Sequence, residues 1–155
     1  MKRRRPAQQP EPAPAATTKR RRAAGAASSF PADLIERARA AMAHAACKHS
    51  KYRVGACLAT TAGQLYTGVN VESDSFGLTI CAERVALFKA LSEGERDFAR
   101  LACATKDGGP SCGGCRQLLR EYCPAAMPVV FVSETAIVRE TTVGAMLPDA
   151  FVLAS

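Results

Sequence analysis

No apolar run in this 155-residue sequence approaches the roughly 18 residues that would cross a bilayer, because charge or turn residues interrupt each stretch first. A membrane-spanning helix is therefore not expected, nor a membrane partner. A secretory leader is not expected either: Met1 to Arg5 could imitate its basic start, but Pro6, Pro10, Pro12 and Pro14 fall where an apolar stretch should follow. An even cysteine count is missing, and the seven present cannot all enter a closed disulfide framework. The thiols are expected to be reduced and intracellular. There is no internal repeat, and a chain of this length that is 48% apolar suits one hydrophobic core better than two small ones.

The formal charge of +7 would suit a nucleic-acid binder if it were spread over a folded surface. It is not. Residues 1–28 hold eight basic residues against Glu11 alone, which accounts for the entire excess, and the remainder is balanced at thirteen of each sign. These 28 residues are rich in Pro, Ala, Arg and Gln without apolar periodicity, and read as a disordered tail ahead of a catalytic domain at 29–155. Lys2–Arg5 and Lys19–Arg22 are spaced compatibly with a bipartite nuclear-import signal, the alternative being a solvated extension without function. A cytoplasmic location is expected, with nuclear import through the tail as the other option. Any contact with nucleic acid would be confined to the tail.

From Pro31 the pattern changes, with Leu34, Ile35, Ala38, Ala41, Met42 and Ala45 recurring at helical spacing. Tyr52–Ala59 and Gln64–Val69 read as strands joined by a hairpin loop. A helix over about Cys81–Ser92, a strand at Phe98–Thr105, a helix over about Cys112–Tyr122 and a strand at Val129–Val132 follow. The long helical connections suit parallel pairing. Only Ser133, Glu134 and Thr135 precede a fifth strand at Ala136–Thr142, so the last pair should be an antiparallel hairpin. The expected fold is α/β, a three-layer α/β/α arrangement with a five-stranded mixed sheet.

The sharpest chemical signal is Cys81-Ala82-Glu83 together with Cys112-Gly113-Gly114-Cys115, each opening an expected helix. Three thiolates would leave a fourth tetrahedral zinc position open for water, as a catalytic site requires. Helix N-termini favour the deprotonated thiol through their positive partial charge. A lone Cys-x-x-Cys also fits a structural zinc site, a redox pair or core thiols; the third cysteine with a carboxylate two residues on is what sharpens the reading. Cys47, Cys57, Cys103 and Cys123 sit on apolar patterns and are expected in the core.

Cys-Ala-Glu-Arg at 81–84 and Cys-Gly-Gly-Cys-Arg-Gln at 112–117 resemble the two signatures of the small cytidine deaminases. Val54-Gly55-Ala56, Asn70-Val71-Glu72, Ser92-Glu93-Gly94 and Leu147-Pro148-Asp149-Ala150-Phe151 resemble further family motifs, in order, so the likeness spans about residues 32–151. It implies one zinc ion per chain on Cys81, Cys112 and Cys115, with Glu83 moving protons between water, ring and departing amine. Three thiolates leave divalent zinc with a net negative charge, and the resemblance gives Arg84 the compensating place, hydrogen-bonded to the ligand sulfurs. It also assigns Asn70 and Glu72 to the ribose hydroxyls, Tyr52 to the position of a phenylalanine that packs on the base, and Phe151 to a neighbouring subunit's site in a homotetramer. A large apolar side chain so near the end of the sequence has little of its own domain to cover it.

The sequence departs from the family at several positions: Ser111 for the usual proline, Ala46, Lys48 and His49 for Tyr, Pro and Tyr, Ser73 for Asn, and Phe76 for Tyr. Ser111 could cap the second helix. The substitutions bear on substrate preference and leave the metal chemistry intact. The expected activity is hydrolytic deamination of cytidine and deoxycytidine in pyrimidine salvage. Alternatives are deamination of a cytosine-containing antibiotic such as blasticidin S, deamination within a polynucleotide, or a catalytically silent zinc-binding module. Asn70 and Glu72 oppose the first, the neutral core the second, and Glu83 the third.

Overall fold

Leu34, Ile35, Ala38 and Ala41 form the buried stripe of the first helix, α1 (Ala32–Ala41), and Pro31 with φ −56° ends the incoming extended chain just before it. The computed structural model describes residues 29–153. The segment expected to be a disordered tail, residues 1–28, lies outside the described residues. After a 3-10 turn at Met42–His44 come β1 (Val54–Thr60), β2 (Leu65–Val69), α2 (Ala82–Ser92), β3 (Phe98–Thr105), α3 (Gly113–Tyr122), β4 (Pro128–Val132), β5 (Ile137–Thr142) and the short α4 (Val143–Met146). No helix among the described residues is long and apolar enough to cross a membrane.

The described strands form one five-stranded mixed sheet in the order β2-β1-β3-β4-β5. β3 and β4 are parallel, and β4 with β5 closes as the antiparallel hairpin the short connection requires. One expectation is corrected. The connection through α2 does not make β2 and β3 a parallel pair, because β1 lies between them and β3 pairs antiparallel with β1. A long connection permits a parallel neighbour but equally permits a crossing over one strand. β1 also starts at Val54 rather than Tyr52. Lys51 turns the chain with φ 57°, and the Asn70 side chain takes the hydrogen bonds of Tyr52 and Val54 that a strand partner would have taken.

Period-two alternation sorts the strands between two apolar layers. Leu58, Leu101, Cys103, Val129 and Phe131 face the layer of α2, α3 and α4. Cys57, Ala102, Ala104, Val130 and Val132 face α1. Cys57, Cys103 and Cys123 lie in these layers, and all four cysteines assigned to the core are buried and form no disulfide. Burial pushes the Cys57 thiol up to about 11 and the Cys123 thiol up to about 12, as expected for inert core thiols.

Helices lie close on the sheet at two glycines. A methyl group on Gly55 would run into the Ala38 carbonyl of α1, and one on Gly68 into the Ala82 carbonyl of α2. Since backbone cannot yield as a flexible side chain can, Gly68→Ala should lower stability by about 1–3 kcal/mol or more. Gly77→Ala, with open space at its added methyl, should lie within about 0.5 kcal/mol of the wild type. Urea unfolding of both variants checks the contrast; equal midpoints would contradict the close seat of α2.

Candidate metal centre

Both helices on the site side begin at a cysteine. Cys81 is the N-cap of α2 and Cys112 the N-cap of α3, each with extended backbone (φ −80° and −68°). Neither side chain caps its helix, and the positive end of each helix lies at its cysteine. Cys115 follows in the first turn of α3. The three sulfurs lie within 4.8 Å of one another, with Cys81–Cys112 at 3.8 Å and Cys112–Cys115 at 3.5 Å. Tetrahedral zinc with Zn–S bonds of about 2.3 Å needs sulfurs about 3.8 Å apart. The donor set therefore fits a zinc ion with one position left over.

The charges around the sulfurs are arranged to match. A hydrogen bond with the Cys115 thiol is the main influence that brings Cys81 down to about 6; Arg84 and Cys112 help, against burial and the charge of Glu83. Cys115 moves strongly the other way, foremost because it shares its proton with Cys81 and also because it is buried near Glu83. The surroundings of Cys81 thus favour negative charge on its sulfur. Arg84 donates from Nη2 to the Thr79 carbonyl at 3.0 Å and lies 3.8 Å from the Cys81 sulfur. Burial opposes its charge, but the sulfur and the neighbouring thiolates outweigh that and hold the guanidinium more firmly protonated. Its Nε is buried without a protein partner among the described residues.

Glu83 sits in the first turn of α2 and is 5% exposed. Its charge also reaches Cys103 on β3, whose thiol is pushed well up, mainly by burial. Ser111, expected to cap α3, does not, because Cys112 occupies the N-cap. The Ser111 hydroxyl is buried beside Cys103, but the pair falls short of hydrogen-bond geometry.

Asn70-Val71-Glu72 is held next to the cluster by backbone. Val71 and Ile80 exchange hydrogen bonds of 2.9 and 3.0 Å, and Ile80 immediately precedes Cys81. Asn70 is buried and spends its amide on the Tyr52 carbonyl and the Val54 amide, both at 2.9 Å. Glu72 accepts from the His49 amide at 2.7 Å, the Ser50 amide at 3.1 Å and the Ser50 hydroxyl. These bonds hold its carboxyl below the usual range, the Ser50 hydroxyl foremost. Tyr52 is half-exposed and donates its hydroxyl to Asp107. Phe151 is 69% exposed, and its carbonyl accepts from Gln117 on α3 at 2.8 Å.

Sequence reasoning passed over several partners. Asp107, Thr105 and Gly109 form a hydrogen-bonded group with Tyr52. Among the departures from the family pattern, Lys48 and His49 both pair with Asp74, at 2.8 and 3.2 Å, and the His49 ring meets Phe76 edge-on at 5.3 Å. Tyr52 with Asp107, Lys48 and His49 with Asp74, and His49 with Phe76 each join residues far apart in the chain, a relation that local spacing does not carry.

A zinc-holding fold of this form is found in known proteins. The family model described as "Cytidine and deoxycytidylate deaminase zinc-binding region" matches residues 28–132, and the chain belongs to that family. It is 44% identical over 120 residues to a cytidine deaminase of Halalkalibacterium halodurans, covering 76% of this chain and 91% of that protein. It is 42% identical, again over 120 residues, to a cytidine deaminase of Sporosarcina psychrophila, covering 76% and 88%. The crystal structure of cytidine deaminase from Burkholderia pseudomallei superposes with a TM-score of 0.74 at 44% identity, covering 77% of this chain and 97% of that one. A blasticidin-S deaminase of Bacillus cereus is more distant, 26% identical over 109 residues.

In metal-free protein the depressed Cys81 pKa means that its thiolate fraction rises through about pH 6. Alkylation by iodoacetamide, which needs the thiolate, should reach half its limiting rate near that pH. Arg84→Ala should move the midpoint upward. A Cys81 midpoint in the ordinary thiol range for both proteins would contradict the charge arrangement.

Proposed function

We propose that the protein is a zinc-dependent deaminase of cytidine and deoxycytidine, with Cys81, Cys112 and Cys115 holding the metal and Glu83 moving the protons. The observation that carries this is the meeting of three sulfurs at two helix N-termini with a buried carboxylate beside them. Zinc, when bound there, supplies the Lewis acidity that makes water a nucleophile at neutral pH. Glu83 accepts the proton of the water that attacks C4 and delivers it to N3 of the ring, then takes the proton of the new C4 hydroxyl and passes it to the amino group as it leaves, so that C4 becomes a carbonyl. Water and nucleoside thus give uridine or deoxyuridine and ammonia. Arg84 offsets the negative charge of the thiolates. Asn70 and Glu72, fixed beside Ile80 and Cys81, face the ribose, and the Tyr52 ring packs on the base. A ribose-binding pair favours nucleosides over a cytosine antibiotic. The domain at 29–155 carries this chemistry, in pyrimidine salvage in the cytoplasm, and the basic residues 1–28 stand apart from it.

Purified protein incubated with cytidine, deoxycytidine, cytidylate and cytosine should release ammonia from the two nucleosides. Glu83→Gln should keep its zinc and fold yet lose at least about 10²-fold in kcat, since an amide neither accepts nor passes the proton. No turnover of either nucleoside by the wild type would defeat the reading; undiminished turnover in the variant would remove Glu83 from it.

Assembly belongs to the same proposal. Phe76, Leu78, Phe151, Val152 and Leu153 are all exposed, a costly display for a lone chain. A homotetramer would cover them and carry Phe151 to a neighbouring subunit's base. Phe151→Ala should then raise KM for cytidine by roughly tenfold or more and weaken assembly together. Sedimentation and steady-state kinetics measure the two effects; a fully active wild-type monomer would rule out a shared site.

A further inference from the structure

Tyr52 differs from a phenylalanine by one hydroxyl, and that hydroxyl is committed. It donates to Oδ1 of Asp107, 55 residues away in the chain, on the loop between β3 and α3. The same oxygen accepts from the Thr105 hydroxyl at 3.0 Å and the Gly109 amide at 3.2 Å. Thr105 in turn accepts from Gly109 at 2.8 Å. A methyl on Gly109 would lie 2.6 Å from the Tyr52 oxygen, so a side chain at 109 would push that hydroxyl away from Asp107. The far side of the loop is fixed as well. Asp107 forms a backbone bridge with Ser133 at the end of β4, and Gly108, with φ 76°, packs against Val138 of β5. Only Pro110 and Ser111 separate this anchored segment from Cys112.

We propose that Asp107 is a positioning residue of the deaminase site. Through the Tyr52 hydroxyl it locks the aromatic wall of the base pocket to the loop that delivers Cys112, so that wall and metal loop hold one register. The electrostatics agree with this geometry. Hydrogen bonds, from Tyr52 foremost and then Thr105, hold the Asp107 carboxyl below its usual range. Burial, and then the bond to Asp107, push the Tyr52 hydroxyl upward, so the phenol keeps its proton and donates it to a charged acceptor, the stronger kind of hydrogen bond. Because the donor is spent on Asp107, Tyr52 offers the base its ring alone.

This rests on the zinc deaminase reading above and adds a link that neither the metal ligands nor Glu83 supply. The zinc-loaded wild type is compared with Tyr52→Phe, Asp107→Ala, Asp107→Asn, Gly109→Ala and the Tyr52→Phe/Asp107→Ala double variant. Zinc release to a chelator, kcat and KM for cytidine, and thermal midpoint are measured on each. Tyr52→Phe and Asp107→Ala should each speed zinc release and raise KM by about five- to tenfold, with kcat changed less. The double variant should be no worse than the worse single one, since both remove the same link. Asp107→Asn should fall between the wild type and Asp107→Ala, because a carboxamide oxygen can still accept the three donors that converge on Oδ1 but without the charge that strengthens them. Gly109→Ala should reproduce Tyr52→Phe, its methyl standing where the hydroxyl belongs. Amide exchange over residues 106–112, read by mass spectrometry, should quicken in Tyr52→Phe. Wild-type zinc release, KM and exchange in Tyr52→Phe, or additive losses in the double variant, would overturn the proposal even if thermal midpoints fell. Failure of the underlying deaminase reading looks different: the wild type itself would leave cytidine unchanged, while amide exchange still tests the link.

Discussion

A tetrahedral metal site asks for sulfurs about 3.8 Å apart at three corners of one solid, and a single helix cannot place all three. Here α3 brings Cys112 and Cys115 and α2 brings Cys81, so the site exists only if two helix N-termini are registered to within a few tenths of an ångström. The rest of the fold serves that constraint. Gly68 lets α2 lie directly on β2, the paired backbone of Val71 and Ile80 sets its first turn, and the parallel β3–β4 crossover seats α3 beside it. Register fixed by backbone does not drift with side-chain rotamers, and a thiolate site needs that steadiness because its ligands repel one another until the cation is present.

The same register decides the electrostatics. Two helix ends, one guanidinium and a shared thiol proton favour negative sulfur, whereas Glu83 and burial oppose it. The balance leaves Cys81 as the acidic thiol of the cluster, while Cys57 and Cys123 in the apolar layers are driven the opposite way. One residue type thus behaves as ligand or as hydrocarbon according to whether a helix N-terminus or a strand interior surrounds it.

Much of this could be read from the sequence because it is written in local spacing. β3 runs over Phe98–Thr105 as expected, and both site helices begin one residue after the cysteines that open them. The layered α/β/α fold and the closing hairpin follow from apolar periodicity and connection length. What local spacing does not encode is which strand lies beside which, and the place of β1 between β2 and β3 was missed for that reason. Asn70 and Glu72 were legible as polar residues at a strand end, but not as acceptors and donors already serving the backbone of residues 49–54. Asp107 carried no motif at all; its meaning comes from a hydroxyl 55 residues away. Ser111 was legible as a cap by residue type, yet the next residue, Cys112, occupies the N-cap position and no side chain caps the helix.

The described chain enters the fold at Ser29, whose hydroxyl reaches Glu140 on β5, and Phe30 packs with α1 on the layer opposite the metal helices. It finishes with Phe151 tied to α3, the helix that bears two of the sulfurs. The two ends are therefore unequal as places to attach anything. A domain, label or surface anchor grafted ahead of Ser29 meets the scaffold with the sheet between it and the chemistry, so that end is open to lengthening and to change of composition. An attachment after Leu153 joins instead on the side of the helix that bears two of the sulfurs, where Phe151 is held by Gln117, so the two ends present an addition to opposite faces of the sheet.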